Sequence, residues 1–185
     1  MRKLSILLTL LILLISLSAN AGTREVKGSA TGRYYNDVWK SWSEEPISVY
    51  IDDKGNTYIK GGEGLIFARG FLYAGERAKF VELLKKGLKW AETAKKEKVE
   101  ITKELGSFMK SGSFDQYGIK LTFFAANKGQ QTDIILYMVD FDNLFYKITL
   151  YLNPTQVKSL IKLLEKVPQT LKELKEYEKK SKMFK

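Results

Sequence analysis

The 185-residue chain carries 31 Lys and Arg against 21 Asp and Glu, a formal charge of +10, and contains neither His nor Cys. Without imidazole and thiol groups it lacks the means for Ser-His-Asp triads, thiol nucleophiles, thiol redox pairs, disulfide staples and the usual zinc sites. Any catalysis must run through carboxylates, Lys or Tyr, and the fold must be held by its core.

In chain order, Met1-Arg2-Lys3 precedes an apolar run from Leu4 to Leu17, and Ala19-Asn20-Ala21 then leads to Gly22. Charged start, apolar middle and small-residue exit are the parts of a secretory signal. The run is shorter than the roughly 20 residues that cross a hydrocarbon layer, and no basic residues close it. The expectation is a signal peptide over 1–21, cut between Ala21 and Gly22, that leaves 22–185 as a single domain. That domain should be periplasmic or secreted and not integral to a membrane, and with no Cys it has no lipid acceptor. Without Arg2 and Lys3, 29 basic residues face the 21 acidic ones, a balance that suits anionic partners and also keeps a protein in solution.

Alternating apolar residues and turn formers predict strands near Val26–Tyr34, Val38–Trp42, Ile47–Ile51, Thr57–Lys60 and Leu65–Tyr73. A helix is expected from about Glu76 to Lys95, where Phe80, Leu84, Leu88 and Ala91 share a face. Gly87 inside it costs about 1 kcal/mol relative to Ala unless close packing needs it. Further strands are expected at Val99–Leu105, through Tyr117, Ile119, Leu121 and Phe123, at Thr132–Val139, and at Phe145–Leu152. Asn153-Pro154 should open a second helix, Asn as cap and Pro in the first turn. Its apolar stripe includes Val157, Leu160, Ile161, Leu164, Val167, Leu171 and Leu174. Pro168 should kink or divide that helix.

A shift of 80 residues lays Leu65-Ile66 on Phe145-Tyr146, Phe71-Leu72 on Tyr151-Leu152 and Leu83-Leu84 on Leu163-Leu164. The turns Asp53-Lys54-Gly55-Asn56 and Asn127-Lys128-Gly129 correspond with a six-residue offset. The expectation is an internal repeat within an α+β protein. Two antiparallel β-sheets, each followed by a helix, form halves of about 22–97 and 98–185 that a pseudo-twofold axis relates, each with the order β-β-β-β-α. In element order this resembles the Whirly and PC4-like architecture, whose members bind single-stranded nucleic acid through the sheet surface. The resemblance spans nearly all of 22–185, rests on topology alone, and carries no family binding residue to a position here.

The stretch Arg33, Tyr34, Tyr35, Trp39, Lys40 and Trp42 interleaves rings with cations, an arrangement that stacks sugars or bases; such rings also serve to cover a core. The acidic turns Asp52-Asp53-Lys54-Gly55-Asn56 and Asp140-Phe141-Asp142-Asn143 offer oxygens to a cation, but neither has the distal Glu of an EF-hand, and both read as hairpin turns. The pairs Glu44 with Glu45 and Asp140 with Asp142 are the carboxylates available to a glycosidase-like reaction. No cofactor is implied. The expected function is a non-enzymatic, exported binding or accessory module of the cell envelope, its partner an envelope protein, a glycan or another anionic surface. Single-stranded nucleic-acid binding and a carboxylate-based glycan hydrolase are the alternatives.

Overall fold

The computed structural model describes residues 23–64, 66–111, 116–140, 143, 145–181 and 183. The expected signal peptide with Ala19, Ala21 and Gly22, and the acidic Asp142, lie outside those residues. Strands β1 Thr23–Glu25, β2 Ala30–Asn36, β3 Ser41–Asp52, β4 Thr57–Glu63 and β5 Ile66–Leu72 precede helix α1 Glu76–Glu97. Strands β6 Ile101–Ser111, β7 Gln116–Ala126, β8 Gln131–Val139 and β9 Lys147–Leu152 precede helix α2 Pro154–Ser181.

The expected strands-then-helix order occurs twice, but the expected pair of sheets does not form. One curled antiparallel sheet runs β5-β4-β3-β2-β9-β8-β7-β6, with β1 alongside β3. The seam is the β2–β9 pairing, Arg33↔Tyr151 and Tyr34↔Leu150. In that order β2 meets β9 and not β6, so the two halves follow one another head to tail, with β5 and β6 at the two ends. Alternation specifies which face of a strand is buried, not which strand lies beside it.

Curling lets the sheet close over its own core. Strand β5 packs back on β7, β8 and β9, and Gly70 permits this because a Cβ there would collide with the side chain of Ile119. The helices occupy the remaining concave space. Helix α1 lies on β6–β8 and α2 on β2, β3, β8 and β9, and together they bury Phe80, Leu84, Val157, Leu160, Leu164 and Val167 against Ile47, Leu121, Ile134 and Leu150. Gly87 has the packing reason its position demands, since a Cβ would strike Ile134.

Two local expectations need correction. Val38–Trp42 and Ile47–Ile51 are not separate strands: residues 37–40 form a turn and Ser41–Asp52 is one strand. Pro46 is tolerated within it because it lies beyond the last β4 pair, Ile47↔Gly61, where β3 is flanked by β2 alone. Of the two outcomes expected at Pro168, a kink or a division, the division does not occur, since α2 continues as helix to Ser181; Pro168 faces solvent while Val167, Thr170 and Leu174 keep burying the same stripe. The start of α2 is as expected. Asn153 Oδ1 accepts from the amides of Thr155 and Gln156 at 3.0 Å, and Gln156 Oε1 accepts from the Asn153 amide, a reciprocal capping box.

Candidate functional site

The β2–β3 hairpin carries all six ring-and-cation residues singled out from the sequence. Strand β2 pairs with β9 at only two positions and β4 stops at Ile47, so the hairpin from Tyr35 outward projects from the sheet. Its turn is ordered: Asn36 Oδ1 accepts from the amides of Val38 at 2.9 Å and Trp39 at 3.1 Å, and Lys40 takes a left-handed φ of 47°. Lys40 pairs with Asp37 at 3.7 Å in full solvent, which contributes little.

Strand alternation divides the six. Tyr34 turns inward and packs against the core. Arg33, Tyr35 and Trp42 share the outer face, where they meet Tyr151 of β9, a residue the sequence analysis missed although it lies on the outward register of its strand. Trp42 packs at 5.2 Å from Tyr35 and edge-on at 5.1 Å from Tyr151, with the Arg33 guanidinium 5.2 Å above its ring. Arg33 is held by Asp133, whose carboxylate is buried and accepts from Nη2 at 2.7 Å. That pairing balances the cation, so the strip presents rings more than charge. Trp39 and Lys40 sit apart at the tip, where Val38 is 82 % and Trp39 78 % exposed.

The tip belongs to a wider feature. Extending the Tyr34↔Leu150 register puts Asn36 level with Ile148, so the β2–β3 turn and the β8–β9 loop leave the sheet at the same end. The Ile47↔Gly61 register brings the β4–β5 turn to that end too. Of eleven exposed large apolar side chains among the described residues, six gather there: Val38, Trp39, Trp42, Ile66, Phe145 and Tyr146. Burial normally claims such residues, so their concentration makes this rim the candidate contact surface.

The rim backbone is anchored. Buried Asp140 accepts from the Arg69 amide at 2.9 Å, from Arg69 Nε at 3.0 Å and Nη2 at 3.2 Å, and from the Asn143 amide at 3.2 Å. It thereby joins the start of the β8–β9 loop to β5. Tyr146 packs at 4.9 Å from Phe67, and the Phe145 amide donates to Asn143 Oδ1, so Phe145 stands 91 % exposed on ordered backbone.

Of the carboxylates considered for catalysis or calcium, Asp52, Asp140, Glu44 and Glu45 serve the scaffold. Asp52 accepts from the Asn56 amide, Asn56 Nδ2 and the Tyr58 hydroxyl. Glu44 accepts from Thr31 and from Gln156 Nε2 of α2, while neighbouring Glu45 accepts from Ser43. Among the described residues no three acidic groups gather at one point. A second ring cluster, also missed, covers the outer face of β4–β5. There Phe71 lies 5.2 Å from Tyr58 and 4.8 Å from Tyr73, beside an open depression of about 470 Å³ lined by Tyr50, Tyr58, Lys60, Phe67 and Arg69.

No family model and no curated protein matches the chain. A solved structure described as "Mutations in SsgB correlate to longitudinal cell division during sporulation of Streptomyces coelicolor" superimposes with a TM-score of 0.39 at 12 % identity, over 82 % of this chain and 96 % of that chain. A likeness that loose carries no argument about this chain.

Proposed function

We propose that this chain is an exported, non-enzymatic binding protein of the cell envelope that works by contact through its hairpin strip and rim. The observation that carries the reading is a set of large rings held in solvent on anchored backbone: exposed Trp39, and Trp42, half exposed with Tyr35 and Tyr151 alongside. Rigid amphipathic rings lose little conformational freedom on binding, which is why a few of them carry most of the affinity at contact surfaces. The engagement of Asp52, Asp140 and Glu44 in scaffold hydrogen bonds supports contact over carboxylate chemistry. The charged, apolar and small-residue order of residues 1–21 supports export.

The test is sedimentation of the purified protein with isolated cell envelopes. Binding is expected, with a loss of about tenfold or more on joint replacement Trp39→Ala and Trp42→Ala while the circular dichroism spectrum stays the same. Undiminished binding by that variant, or turnover of an envelope glycan abolished by a single carboxylate substitution, defeats the reading. A labelled single-stranded oligonucleotide provides the contrast: tight binding that falls steeply with salt would replace the proposal with nucleic-acid recognition.

A further inference from the structure

Resting on that contact reading, we infer that the rim is a lipid-insertion device, whose exposed side chains Val38, Trp39 and Phe145 enter the headgroup-to-acyl boundary of a phospholipid bilayer. Three features of the rim point to lipid. The first is layering. Val38 and Trp39 lie in the β2–β3 turn and Phe145 in the β8–β9 loop, while Ile66 opens β5 opposite Glu63 and Tyr35, Tyr146, Lys40 and Lys147 stand among or just behind them. Apolar tips backed by rings with a polar end and by long cationic stems match the order of layers met on entering a membrane, where Trp, Tyr and Lys settle at headgroup level.

The second is shape. The six apolar side chains divide between the projecting β2–β3 hairpin, with Val38, Trp39 and Trp42, and the β8–β9 loop packed on the start of β5, with Phe145, Tyr146 and Ile66. A folded partner would need matching relief, whereas a fluid interface closes around separate points. The third is charge. Lys40 and Lys147 at the rim, and the excess of 29 basic over 21 acidic residues once Arg2 and Lys3 are removed, complement the negative surface of an anionic leaflet. Asp37 and Glu63 at the same end keep the local balance close to even, so insertion of side chains contributes more than attraction to headgroups. Anchoring by Asn36 and Asp140 holds the tips outward before contact, which lowers the ordering cost of binding.

The experiment uses the exported protein, with mass spectrometry showing that it starts at Gly22, because Leu4–Leu17 would bind lipid by itself. It is mixed with vesicles of phosphatidylcholine alone and of phosphatidylcholine with phosphatidylglycerol. Expected are co-sedimentation with both, stronger with the anionic lipid and surviving high salt, and quenching of tryptophan emission by brominated acyl chains. Joint replacement Trp39→Ser and Phe145→Ser should lower partitioning by about tenfold or more and remove most of the quenching, with unfolding midpoints unchanged because both side chains already stand in solvent. Vesicle binding that the double variant retains, or that high salt abolishes, overturns the insertion. Failure to bind either vesicle while binding envelopes overturns the lipid assignment and leaves the contact reading intact. Failure on both vesicles and envelopes defeats both.

Discussion

Two hairpins of this sheet have turns of the same length and opposite character. Residues 37–40 join β2 to β3 and residues 127–130 join β7 to β8, four residues each, and both use left-handed backbone. The β7–β8 turn is Asn-Lys-Gly-Gln and is tucked against the end of α1: a Cβ on Gly129 would meet the Ala94 carbonyl, and the Lys128 amide donates to Glu100 at 2.8 Å. The β2–β3 turn is Asp-Val-Trp-Lys and nothing covers it. Only Gly129 of the first turn is buried and its exposed Asn127, Lys128 and Gln130 are polar, whereas the second puts the large apolar side chains of Val38 and Trp39 into solvent between Asp37 and Lys40. Turn chemistry accounts for the polar set, and the exposure of Val38 and Trp39 is what the proposed contact role accounts for.

Substitutions can break or sharpen this contrast. The largest effect is expected from Asp140→Ala, which leaves the Arg69 guanidinium and two amides without their buried acceptor. A loss of about 3–5 kcal/mol is expected, measured by urea unfolding, with envelope binding weakened as the β8–β9 loop loosens. If stability survives, the rim is not anchored as described. Gly129→Ala should cost about 2 kcal/mol, because a left-handed backbone and a backbone collision coincide there; a thermal midpoint lower by about 4–8 °C would register it. Gln156→Ala removes half of the α2 capping box and the tie to Glu44, and should cost about 1 kcal/mol in the same unfolding assay. Joint replacement Val38→Asn and Trp39→Asn sharpens the contrast most, since stability should stay within about 0.5 kcal/mol while envelope binding falls. A stability loss as large as that of Gly129→Ala would show the tip to be structural.

Much of the architecture could be read from local pattern. Asn153-Pro154 announced the second helix because a cap and a first-turn Pro act on their own neighbourhood. The stripe from Val157 to Leu174 and the alternation at Tyr117–Phe123 marked buried faces for the same reason. The strand expected at Val38 failed because Asn36 can take up two amides and turn the chain, a contact that apolar periodicity does not register. Within the candidate strip Arg33, Tyr35 and Trp42 were legible as an alternating set. Tyr151 was not, since it joins them only through a two-residue pairing more than 100 positions along the chain.

By itself the sequence determined the order of strands and helices, the missing imidazole and thiol chemistry, the buried stripes and the aromatic richness of residues 33–42. All of these are local properties that composition, periodicity and capping express within a few turns of chain. Tertiary structure alone decided that the halves share one curled sheet, that they meet head to tail, and that Ile66, Trp39 and Phe145 arrive at a common rim. Those outcomes depend on which strand edge finds which, and the alternation that buries a face is the same for every partner it could take.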